Sequence, residues 1–178
     1  MTRTVEEPCD TGVDVGPRVR RWAPGHRAVW ALFGSAVVVG LVVPLSLAVT
    51  TGSLSIPHND SWAYSRIAET FGRTGRIELL GWNRSALFGQ FLPLGPLASR
   101  LEAQHVFVAL LGLVALVATY DLCVASTGRR RAALAAVAVA LWPGFGLLAT
   151  SFMSDMPTLA AVTACLALGR RAVSSGAT

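Results

Sequence analysis

Charge is the scarce ingredient of this chain. Only 14% of its 178 residues are charged, against roughly 25% in an average soluble domain. A soluble chain of this length could build one core, but a charged surface would have to cover it. Lysine is absent, so all 15 basic residues are arginine. The net charge is +5, yet the arginines fall in clusters between apolar runs. Nucleic-acid binding needs a continuous basic face, and none is present. Cysteine is sparse as well. Cys9 lies in a polar stretch, and Cys123 and Cys165 lie inside apolar ones. Their spacing suggests neither a disulfide nor a metal site. No Walker loop, dinucleotide fingerprint, Cys/His zinc spacing or nucleophile elbow occurs.

Apolar residues are abundant, at 53% of the chain, and they come in runs. Residues 1–27 are polar and then basic, which reads as a disordered cytoplasmic tail. Residues 28–50 carry no charge and exceed the roughly 20 residues that cross a bilayer. They form the first expected span, with a cleaved signal peptide as the alternative. Further runs cover 105–125, 132–150 and 156–169, and a short tail follows at 172–178. Pro143 should break the third run. The fourth is short, and needs little tilt or a locally thinned bilayer. The fold class expected is all-α integral membrane, with about four transmembrane helices. Arg18, Arg20, Arg21 and Arg27, then Arg129–Arg131, then Arg170 and Arg171 fall on one side if four spans cross. The positive-inside rule makes that side cytoplasmic, with both termini there and the plasma membrane as location. The loop 51–104 and the turn 151–157 then share the outer face.

That loop carries its own pattern. His58-Asn59-Asp60 reads as a turn and helix cap. Tyr64, Ile67, Ala68 and Phe71 then recur at helical spacing, opposite Ser65, Arg66 and Glu69. This predicts an amphipathic helix lying in the membrane interface, ended by Gly72 and Gly75. Residues 77–101 are apolar but broken by glycine and proline, as in an interfacial or re-entrant element. Asp121 should pair with Arg129–Arg131.

Two carboxylates stand out. Asp60 follows the first span, and Asp155 sits between the third and fourth. An acid at the edge of an apolar span is solvated, paired or functional. Two on one face can hold a cation or divide general-base and positioning roles. Each can equally be a helix cap, Asp155 with Pro157 in the first turn. Trp62 and Tyr64 could stack on a ring-shaped ligand or anchor at the interface. His58 could shuttle a proton. Arg66, Arg73, Arg76 and Arg84 are cations for an anionic phosphate, or solvated charges on a helix face.

The sequence His58-Asn59-Asp60-Ser61-Trp62-Ala63-Tyr64, the later Arg73-Thr74-Gly75-Arg76-Ile77 and the turn Ser154-Asp155-Met156-Pro157 resemble a known pattern. They look like the N-terminal part of the GT-C superfamily of membrane glycosyltransferases, near the protein O-mannosyltransferase and lipid A aminoarabinose transferase group. The resemblance covers residues 30–171. It implies transfer of a sugar from a polyprenyl-phosphate donor to an acceptor outside the cytoplasm. Asp60 then takes the catalytic role, Asp155 supports it, and His58, Trp62, Tyr64, Arg66, Arg73 and Arg76 contact substrate. Members are several times longer, so a missing C-terminal part or a further membrane subunit would complete the enzyme. A divalent cation is compatible with this chemistry, and the residues name none. The alternative is a non-enzymatic small membrane protein packing against a partner. A transporter reading has only Pro143-Gly144 as a midplane break, with no acid beside it.

Overall fold

The computed structural model describes residues 25–56, 60–81 and 88–176. The tail expected over 1–27 therefore lies, as far as residue 24, outside the described residues. Among those described, every regular element is helical. α1 runs His26–Thr50, with a π-helical turn at Val38–Val42. α2 is Ser61–Thr74 and α3 is the single turn Phe88–Phe91. A 3-10 turn, Gly95–Ser99, leads into α4, Leu101–Thr127. α5 is Arg129–Ala140, α6 is Pro143–Ala149 and α7 is Asp155–Gly176.

The helices start and stop where the chemistry says they should. Pro143 occupies the first turn of α6, where its missing N–H is not needed. The chain bends by 71° between α5 and α6, which is the break expected there. Gly128, at φ 80° and ψ 164°, ends α4 and opens α5 in a backbone region that only glycine enters freely. In α1, Pro44 has no N–H to give to the carbonyl four residues back, and the turn just before it widens to the π pattern.

Packing is inverted relative to a water-soluble bundle. The buried positions of α5 are Ala132, Ala133, Ala136 and Ala140, and those of α4 include Gly112, Ala115 and Ala118. Large apolar residues face outward instead: Val106, Leu110, Val114 and Val117 on α4, Leu166 and Leu168 on α7. In water such a surface would be an aggregation liability. In lipid it costs nothing, and small inward residues let helices approach closely. A methyl group at Gly40 would lie 2.9 Å from Ala140 Cβ and 3.2 Å from the Phe145 ring. Phe145 is fully buried and also faces Gly112, so one ring closes the crossing of α1, α4 and α6.

Two helices, α1 and α4, are long and apolar enough to cross a membrane, and the bent α5–α6 pair makes a third if taken as one segment. α7 is not among them. Contacts fix which helix ends lie together. Arg129 Nη1 of α5 meets the His26 ring of α1 at 3.1 Å. Arg170 and Arg171 of α7 bind Asp121 of α4, at 3.1 and 2.5 Å. The partner expected for Asp121 was Arg129–Arg131. Asp121 sits almost two turns above the end of α4, so the tight turn carries those arginines past it. The parallel run of α7 brings Arg170 and Arg171 level with it instead. These arginines thus collect at one end of the bundle, and α2, with Arg66 and Arg73 of its own, lies with residues 151–155 at the other.

Candidate functional site

The end of the bundle opposite the arginines is built on the first turn of α4. Gln104 is 1% exposed, and its Nε2 donates to Ala98 O at 2.7 Å and to Ser65 O at 3.4 Å. It thereby ties α2 and the 95–99 turn to α4. His105, 6% exposed, holds Leu54 O through Nε2 at 3.1 Å. A carbonyl only accepts, so Nε2 is the protonated nitrogen in this contact. Neither residue stood out in the sequence. A polar pair at the head of an apolar helix was the available signal, since such residues turn toward the protein interior.

α2 completes the wall. Ile67 and Ala68 are buried, and Tyr64 and Phe71 pack against the same core. On the opposite side, Glu69 is clasped by Arg66 at 3.2 Å and by Arg73 at 2.5 Å, an i, i+3 and i, i+4 ladder. The helix continues through Gly72 to Thr74. Gly75, at φ 69°, is the residue that ends it. The expectation that Gly72 helps end it is therefore corrected.

A cavity of about 320 Å³ lies between these pieces. Its walls include Leu54–Ile56, Ser61, Trp62, Ser65, Arg66 and Glu69 of α2, Leu101 and His105 of α4, and Ser151. An indole, four hydroxyls, an imidazole and a carboxylate–guanidinium pair can hold a small polar, ring-shaped ligand: stacking on one face, hydrogen bonds on the other.

Of the residues singled out in the sequence, Trp62 and Arg66 line this cavity. Tyr64 instead packs on the core, Arg73 is engaged with Glu69, and Arg76 is exposed, its backbone N–H bonded to Thr74 Oγ1. His58 and Arg84 lie outside the described residues. Asp60 and Asp155 stand at this same end, but neither is among the described lining residues. Asp60 heads α2, yet its side chain makes no capping hydrogen bond; only its carbonyl accepts, from the N–H of Ala63 and of Tyr64. The cap expected there is absent, which leaves the carboxylate uncommitted to the helix. Asp155 is exposed in the first turn of α7. Among the described residues no three His, Cys, Asp or Glu side chains are grouped to hold a metal.

Compared with protein-family models, with curated proteins and with solved structures, the chain matches none.

Proposed function

We propose that this chain is a four-span plasma-membrane protein with both termini in the cytoplasm, and that it forms the N-terminal, membrane-embedded part of a glycosyltransferase of GT-C type. The cavity then faces outward and receives a sugar carried on a polyprenyl phosphate. The observation that carries this reading is the juxtaposition of an indole-walled polar cavity with Asp60, whose carboxylate is not consumed as a helix cap. In this reading Asp60 takes the proton from an acceptor hydroxyl, and the freed oxygen attacks the anomeric carbon. The bond from that carbon to the donor phosphate breaks, and the polyprenyl phosphate leaves. Trp62 stacks on the sugar. Arg66 and Arg73 turn from Glu69 toward the donor phosphate, an exchange of one anion for another.

The test uses the chain in bilayer nanodiscs with a photoreactive polyprenyl-phosphate sugar. Crosslinking within residues 61–76, displaced by unmodified donor, is expected. Transfer to a soluble hydroxyl acceptor should disappear in Asp60→Asn. Neither crosslinking nor transfer by the unaltered chain, or full transfer by Asp60→Asn, overturns the reading.

A second reading has its own observation. An apolar groove runs between α4 and α7, formed by cavities of about 390 and 360 Å³ that share Val114 and Ala164. A non-enzymatic subunit would seat a partner helix there. Site-specific crosslinking from Ala161 to another membrane chain, with no donor crosslinking, favours it.

A further inference from the structure

Among the described residues, the arginine-rich end of the bundle carries more cations than acids. Arg27, Arg129, Arg130, Arg131, Arg170 and Arg171 gather there, and the acid among the described residues at that end is Asp121. Its carboxylate is already held by Arg170 and Arg171. Arg27, Arg130 and Arg131 are exposed, and none of them forms an ion pair among the described residues. Arg129 reaches the His26 ring, 3.1 Å from both of its nitrogens, and forms no ion pair among the described residues. The starts of α1 and α5 are thus pinned side by side, each carrying guanidinium groups. Like charges held together repel unless an anion lies between them.

The surface just beyond is apolar. Trp30 follows Arg27 by three residues on α1 and is 67% exposed, and Leu134 follows Arg130 by four on α5 and is 45% exposed, both spacings that keep to one helix face. Each helix therefore presents a cation at its start and a large apolar side chain one turn inward. A free phosphate would use only the first of these.

We propose that the paired starts of α1 and α5 form a binding site for one anionic phospholipid. Its phosphate lies among Arg27, Arg130 and Arg131, and its acyl chain runs over Trp30 and Leu134. Guanidinium groups suit this task because their forked N–H groups match two phosphate oxygens at once. The site is independent of the glycosyltransferase reading, lying at the opposite end of the bundle from the cavity.

The experiment is native mass spectrometry of the purified chain with phosphatidylglycerol or phosphatidylcholine, paired with quenching of Trp30 by brominated versions of each in nanodiscs, in a chain whose other tryptophans, Trp22, Trp62, Trp82 and Trp142, are replaced by phenylalanine. One phosphatidylglycerol should be retained preferentially. The double variant Arg130→Gln/Arg131→Gln should weaken that binding about tenfold, the loss of one charge-assisted pairing, with phosphatidylcholine unchanged. Arg100→Gln, at the other end, should leave that binding unchanged. Unaltered circular dichroism shows that the double variant is folded. Should it misfold, quenching in the chain that keeps Trp30 alone and all its arginines decides, and greater quenching by the anionic lipid is expected. Equal retention and quenching by both lipids overturns the proposal. Displacement of the lipid by glycerol phosphate overturns it too, because the site would then read a free phosphate.

Discussion

Gly72→Ala sets two opposing effects against each other at a single methyl group. In an ordinary exposed helix, replacing glycine by alanine stabilises by up to about 1 kcal/mol. Here the new Cβ would lie 2.3 Å from Ser99 N, and 3.0 Å from both Ala98 C and Ser99 Cα. Ordinary contact begins at 3.4 Å, so α2 and the 95–99 turn must separate by about 1.1 Å, and the obstacle is backbone that cannot swing aside. Overpacking of this kind costs about 1–3 kcal/mol. The clash should win by about 1–2 kcal/mol, set against the helix-propensity gain. The loss is local, because α2 rests on this turn and on the start of α4. Hydrogen–deuterium exchange of residues 61–76 and 95–99 should therefore quicken about 5- to 30-fold. Exchange in α4 below His105 should stay as it was. Gly34→Ala, where nothing lies within 4 Å of the added methyl, is the control and should be neutral or stabilising. Slower exchange or a higher Tm in Gly72→Ala would refute the close approach of α2 to that turn. Because α2 carries Ser61, Trp62, Ser65, Arg66 and Glu69 of the cavity wall, the same variant should weaken any ligand bound there.

Other perturbations have equally definite outcomes. Phe145→Ala removes a fully buried ring at the crossing of three helices and should cost about 3–5 kcal/mol, read as a large drop in Tm in detergent. Asp121→Asn releases the ends of α4 and α7. Exchange in residues 170–176 should rise, with a stability loss of about 1–2 kcal/mol, since Arg171 is largely solvated. Gly128→Ala forces a side chain onto a φ of 80° and should destabilise by about 1–3 kcal/mol, in contrast to the neutral Gly34→Ala. Single cysteines at Arg76 and Ser126, in a background without native cysteine, should label from opposite sides of a sealed membrane. Labelling of both from one side would refute the four-span arrangement.

The helical segments were legible because their signals are local: uncharged runs, Pro143 at a break, Gly128 at a turn, and an apolar face repeating through Ile67 and Ala68. The candidate site was only half legible. Trp62 and Arg66 show themselves by type and spacing. His105 and Ser151 join them through contacts between residues some 50 to 100 positions apart, which no window of sequence contains. Gln104 hid for a different reason. At the edge of an apolar run it looks like an interface residue, and only the carbonyls of Ala98 and Ser65 reveal that it is structural. Asp60 shows the reverse error. Its position invites a capping assignment, but its backbone adopts helical angles, φ −74° and ψ −8°, rather than the extended ones from which a cap side chain reaches back.

The 71° bend between α5 and α6 also sets a depth. Along its own axis α5, with 12 residues, rises about 18 Å at 1.5 Å per residue. The seven residues of α6, steeply inclined to it, add only about 3 Å in that direction. The pair therefore advances about 21 Å, roughly 9 Å less than the hydrocarbon thickness of a typical bilayer. In the four-span arrangement proposed above, with α5 upright, Ser151, two residues past α6, would stop short of the plane of the headgroups. The floor of the cavity is then sunk below the membrane surface, and a ligand reaching it would exchange bulk water for a recess walled by lipid-embedded helices.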